Sequence, residues 1–179
     1  MLVRDHLFAP QLHYDRGDDL ANIIKAPNDY SEHMKKFKVF LAGSIEMGKA
    51  GDWQTKVQNE LEGYNLVILN PRRYDWDDSW EQKIENDKFR EQVEWELQAM
   101  DDADMIAVYI DPETKSPITL MEIGLHAHAK DNKMVVCCPD GFYRKGNVDI
   151  VCNNYEVIQS ESLNILIQEI IQNFMDRIT

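Results

Sequence analysis

Five short apolar runs punctuate the chain: KVFLA (38–42), LVILN (66–70), DMIAVYI (104–110), KMVVCC (133–138) and YEVI (155–158). Helix-patterned stretches separate most of them. A short apolar run bounded by turn residues is a strand buried on both faces. A strand, a helix and a second strand pack together as a right-handed parallel crossover. The expected fold class is therefore α/β, a flavodoxin-like or Rossmann-like five-stranded parallel sheet in the order 2-1-3-4-5, with helices on both faces. Helices are expected near 52–63, 87–101, 119–130 and 160–177. Apolar spacing sets their buried faces: Trp53, Val57 and Leu61; Phe89, Val93, Leu97 and Met100; and Leu163, Leu166, Ile167, Ile170 and Phe174. Residues 1–36 are polar, with Pro10, Pro27 and a DRGDDL stretch, and are expected to form an N-terminal extension wrapped over a domain at 37–179. A chain of 179 residues suits one domain with a sizeable core.

Charge narrows the partners. A formal net charge of −13 disfavours duplex nucleic acid and anionic membrane, whose phosphates repel it. Small metabolites and further copies of the chain are the expected partners. No apolar run approaches the roughly 20 residues of a membrane span. MLVRDHLFAP lacks the apolar core of a secretory signal, so a cytoplasmic location is expected. Cys137, Cys138 and Cys152 are odd in number, with two adjacent, which argues against a disulfide framework. No Cys/His spacing suggests zinc, so neither metal nor cofactor is expected.

Open parallel sheets bind ligands beyond the carboxyl ends of their strands. Three loops lie there. GSIEMGK (43–49) nearly meets the pattern of a phosphate-binding P-loop, with YID (109–111) as its acidic partner, but Ala50 stands where a magnesium-binding hydroxyl is required. The other reading is a backbone cradle for a sugar or base, with Gly43 allowing close approach and Ser44 supplying a hydroxyl. The second loop, NPRRYDW, offers Tyr74, Trp76 and Trp80 for stacking on a base, with Arg72 and Arg73 for a phosphate or carboxylate. Equally, the tryptophans anchor the loop and the arginines pair with local acids.

The third loop leads into SPITLMEIG. Taking Thr119 as the helix N-cap, Thr119-x-x-Glu122 matches a capping box, in which the glutamate returns a bond to the cap residue. The same position near a helix N-terminus would hold a carboxylate ionised for nucleophilic attack. On the preceding helix Glu96 falls in the inward stripe, either at its edge or lining a polar cavity, where burial would raise its pKa and suit proton exchange. His126 and His128 point to different faces and are ordinary helix residues.

FLAGSI, NPRRYDW, FREQVEWELQAMDDADMIAVY and ETKSPITLMEIGLHAHA together resemble the nucleoside 2-deoxyribosyltransferase-like family over about residues 37–160, the MEIG segment most specifically. The resemblance implies cleavage or exchange of the N-glycosidic bond of a (deoxy)nucleoside or nucleoside monophosphate through a covalent glycosyl-enzyme. It places Glu122 as nucleophile and Glu96 as the acid that orients it and handles the base proton. Gly43, Ser44, Arg72, Tyr74, Asp75, Trp76 and Ser116 would then line the substrate site. Asn147 matches the asparagine that reaches a neighbouring subunit's site, implying a homo-oligomer with shared active sites. Two departures stand out. No tyrosine lies near Val39–Phe40, and Ser116 occupies the place of an aspartate six residues before the nucleophile. The alternatives are a P-loop-like phosphotransferase and a non-catalytic nucleotide-binding module.

Overall fold

A computed structural model describes residues 20–45, 51–129 and 133–178. Six parallel strands form one sheet: β1 (Asn22–Lys25), β2 (Lys38–Gly43), β3 (Val67–Asn70), β4 (Met105–Tyr109), β5 (Met134–Cys137) and β6 (Ile158–Ser160). Five helices accompany them: α1 (Trp53–Leu61), α2 (Asp87–Asp102), α3 (Pro117–His126), α4 (Lys145–Asn154) and α5 (Leu163–Ile178). Across the sheet the order is β1-β3-β2-β4-β5-β6. Removing β1 leaves the order expected from the sequence, and the fold is α/β as expected.

The four central strands are nearly all buried, consistent with their uninterrupted apolar runs. Two cores flank them. Phe40, Leu69, Met100, Ile106, Val108 and Ile123 belong to the α2, α3 and α4 side, and Leu41, Trp53, Val57, Leu61, Ile68, Leu166 and Ile170 to the α1 and α5 side. No described helix is long and apolar enough to cross a membrane.

Several elements differ from expectation. The polar 1–36 stretch contains β1, whose residues Asn22 to Lys25 pair in register with Val67 to Asn70. Residues 28–30 fasten to α2: Trp95 Nε1 donates to the Asn28 carbonyl at 2.9 Å, and Tyr30 Oη to Asp102 at 3.0 Å. α4 occupies a stretch with no assigned element, and the last strand falls at Ile158–Ser160 rather than 155–158, because α4 persists to Asn154 and Glu156 then turns the chain at φ 57°. On α2 the buried residues are Gln92, Ala99 and Met100, while Leu97 is 41% exposed. The helix is thus rotated so that Gln92, one residue before Val93, faces inward.

Candidate active site

At the carboxyl end of β2 the chain must leave the sheet beside β4. Gly43 has φ 146°, and a Cβ there would sit 2.1 Å from the Tyr109 carbonyl oxygen. Only glycine fits so close to a neighbouring backbone. Ser44 follows, its N–H donating to that same carbonyl at 3.0 Å. The indole Nε1 of Trp53, the first residue of α1, donates to the Ser44 carbonyl at 3.0 Å.

The Ser44 hydroxyl then ties two loops together. It accepts from the Asp111 N–H at 2.8 Å and meets the hydroxyls of Thr114, at 2.9 Å, and of Ser116. Thr114 Oγ1 also lies 2.7 Å from Ser116 Oγ and donates to the Asp111 carbonyl at 2.8 Å. All three hydroxyl residues are buried. Sequence reasoning missed Thr114, because only the turn from Asp111, whose carbonyl accepts from both the N–H and the hydroxyl of Thr114, brings it onto Ser44.

Ser116 is the N-cap of α3 and Pro117 its first residue, where the missing N–H of proline costs nothing. This corrects the expected start at Thr119. Thr119 lies inside the first turn and is buried, so no capping box can form and Glu122 does not fold back to a cap. Glu122 sits in the second turn at 7% exposure, beyond the reach of the helix-end amides. The expectation that the helix start keeps it ionised is therefore also corrected. Burial, reinforced by repulsion from Glu96, pushes its pKa up to about 8.

Glu96 is the partner that α2 supplies. Burial raises its pKa to about 7, opposed by a hydrogen bond from Gln92. Gln92 Nε2 donates to Glu96 Oε1 at 2.7 Å and to the Pro71 carbonyl at 2.8 Å. Two desolvated glutamates thus come from different helices, and the charge of Glu96 bears on Glu122. Gln92 was legible as Glu96's neighbour one turn back, but escaped notice because the stripe was counted through Val93 and Leu97.

The second loop is organised around Arg73, which is buried and committed. Its guanidinium grips Asp75 at 2.7 and 3.0 Å, reaches Glu91 at 3.5 Å and lies over the Trp80 ring. The bond to Asp75 is the leading reason its pKa is raised. Arg72 is less engaged, touching Asp52 at 3.3 Å and Gln54 at 3.5 Å at the start of α1. Tyr74 is 85% exposed with Lys25 over its face, and Trp76 packs on Trp80 and bonds Asp78. The structure thus brings Gly43, Ser44 and Ser116 together at one point and pairs Glu96 with Glu122. Asp75 and Trp76 make their described contacts within their own loop, while Tyr74 meets Lys25 at the end of β1.

Asn147, on α4, opens onto a separate cleft of about 270 Å³ between α3 and α4, lined also by Leu120, Ile123, Gly124 and Tyr143. Neither glutamate lines it. Gly48, Lys49 and Ala50 of the P-loop-like segment lie outside the described residues. Among the described residues no group of His, Cys, Asp and Glu is placed to hold a metal ion.

No curated protein matches the chain. A family model, described as nucleoside 2-deoxyribosyltransferase like, matches residues 36–142, which span β2 to the start of the α4 approach and include Ser44, Glu96 and Glu122 but not Asn147. That match covers more than half of the sequence, and the chain belongs to the nucleoside 2-deoxyribosyltransferase-like family.

Proposed function

We propose that the protein cleaves or exchanges the N-glycosidic bond of a (deoxy)nucleoside or nucleoside monophosphate, with Glu122 as nucleophile and Glu96 as the proton-handling acid. One observation carries this reading: two desolvated, interacting carboxyl groups from α2 and α3, beside the carboxyl end of a parallel sheet. Membership of the family supports nucleoside chemistry.

In the first half-reaction a Glu122 carboxylate oxygen attacks C1′, and the C1′–N bond breaks with its electron pair leaving on the base. The base nitrogen takes a proton from Glu96. The products are a glycosyl ester on Glu122 and a free base. In the second half a new base or a water attacks the same carbon, Glu96 accepts the proton released, and Glu122 departs as carboxylate. A base as acceptor gives transfer, and water gives hydrolysis.

Both carboxyls are pushed toward the protonated form, whereas the attack requires an ionised Glu122 and a protonated Glu96. Positive charge developing on the sugar ring favours the anion on Glu122, so substrate draws the proton toward Glu96. Catalysis then depends on one shared proton rather than on a permanently charged nucleophile.

The remaining groups receive roles from their positions. Gly43, Ser44 and Ser116 form a rigid wall. Arg72 is the arginine with contacts weak enough to exchange for a 5′-phosphate, since Arg73 is held by Asp75. Tyr74 and Trp76 offer ring faces to a base if the loop turns inward. Asn147 serves the site of a neighbouring copy in a homo-oligomer. Ile118, Met121 and Leu125, each more than half exposed along the outer face of α3, support such an assembly.

The test is chromatography of a panel of nucleosides and nucleoside monophosphates, with and without an acceptor base. Released base or a new nucleoside is expected from wild type, and Glu122→Gln should lose at least about a thousandfold in rate while its circular dichroism stays native. Retained turnover in that variant would remove Glu122 from the chemistry.

A further inference from the structure

Gln92 is 4% exposed on α2, one turn before Glu96. Its Nε2 donates to the Pro71 carbonyl at 2.8 Å and to Glu96 Oε1 at 2.7 Å. A carbonyl oxygen can only accept, so the Pro71 bond decides which end of the amide faces inward. Turning the amide over would set Oε1 against the Pro71 oxygen and a Glu96 oxygen at once. The N–H aimed at Glu96 is therefore present whatever the charge on that carboxyl.

Pro71 is itself held. It follows Asn70, the buried last residue of β3, whose side-chain oxygen accepts from the Arg72 N–H at 2.8 Å. The other end of the Gln92 amide tells the same story. Its Oε1 is buried without a hydrogen-bond partner, an unfavourable state that an apolar residue of similar shape would avoid. What retains a glutamine here is its two N–H bonds.

We propose that Gln92 is a positioning residue of the carboxyl pair, tying Glu96 to the fixed start of the 71–86 loop and presenting it with a permanent hydrogen-bond donor. The catalytic importance of this tie rests on the reading of Glu96 and Glu122 as the reacting pair, while the tie itself does not. Glu122 has no comparable donor among the described residues. Glu96 is the one charged group bearing on Glu122 there, and Gln92 is the one side chain bonded to Glu96. The nearby Arg73, Asp75 and Glu91 are paired with one another. Gln92 therefore distinguishes two otherwise similar carboxyls, lowering the proton affinity of Glu96 alone. It also links the position of the loop to the pair, so that moving the Pro71 carbonyl would release Glu96.

The experiment compares wild type with Gln92→Met, which keeps the length and removes both donors. Glutamate side-chain carboxyls labelled with carbon-13 are titrated by NMR, with Glu96 assigned through Glu96→Gln, and kcat and KM for base release are measured alongside. In Gln92→Met the Glu96 midpoint should rise by about one pH unit. kcat should fall by about tenfold or more with KM changed less than about threefold, as expected for a displaced catalytic group. If Gln92→Met does not fold, Gln92→Glu keeps the shape and should move the Glu96 midpoint further upward. An unmoved midpoint in either folded variant overturns the assignment. A moved midpoint in a protein that releases no base from any nucleoside upholds the tie and removes the proposed function instead.

Discussion

Glu96 and Glu122 keep their protons well above the pH at which a glutamate in water gives them up, because burial penalises the charged form and the charge of Glu96 further opposes that of Glu122. The unfolded chain releases those protons near 4.5, and the folded chain holds them to about 7 and about 8. A folded value raised above the unfolded one means that folding takes up protons, so stability declines as pH climbs through that window and is recovered below it. Glu122→Gln carries no such proton. It should be more stable than wild type at pH 8, by roughly 2–4 kcal/mol, and nearly equal to it at pH 4. Urea denaturation of both proteins at the two pH values checks this; a difference independent of pH would mean that Glu122 is not buried as a neutral acid. Helical counting places Glu96 on the inward stripe from sequence alone, and the resemblance of the MEIG segment singles out Glu122. What it cannot supply is their charge state, which depends on how completely two separate helices exclude water. Nor does it reveal Thr114, whose place in the hydroxyl triangle follows from the turn that ties it to the Asp111 carbonyl.

Helix α3, which carries Glu122, leaves the sheet from the end of β4, and that end is pinned against β2. β2 and β4 approach so closely at Gly43 that an added methyl would overlap the Tyr109 carbonyl, at 2.1 Å, and press on the Trp53 ring, at 2.9 Å. Gly43→Ala should destabilise the fold by about 3 kcal/mol or more, measured by thermal or chemical unfolding, since strain at positive φ adds to the clash. A loss below about 1 kcal/mol would show that the two strand ends can part. The start of α3 shows competing local signals. Thr119 and Glu122 spell a capping box, but Pro117 is already suited to the first helical position and Ser116 to the turn before it, so the N-cap falls three residues earlier than expected. α4 escaped for a different reason. It buries only Val148 and Cys152, and Gly146, Asn153 and Asn154 are weak helix formers, so little periodicity marks it. The rotation of α2 by one position came from an ambiguity in the pattern itself, where Gln92 replaces an apolar residue on the buried stripe.

Over the whole molecule the strand order was legible because parallel crossovers leave few alternatives once strands and helices alternate. The sixth strand was not, since NIIK is short and β1 has a half-exposed edge position that needs no long apolar run. That strand matters beyond its four residues. It covers the outer edge of β3 along its full length, and the segment behind it supplies Tyr30 to the ring contact with Trp95. Deleting residues 1–35 should therefore lower the melting temperature and shift the protein toward larger species in size-exclusion chromatography with light scattering, because an uncovered strand edge recruits other chains. A stable, unaggregated product of that deletion would show that β3 tolerates an open edge. The family match begins at residue 36, fourteen positions after the sheet has already started at Asn22. The segment by which kinship is recognised is shorter than the segment that must fold as one body, and a boundary drawn from kinship alone would cut through a hydrogen-bonded ladder.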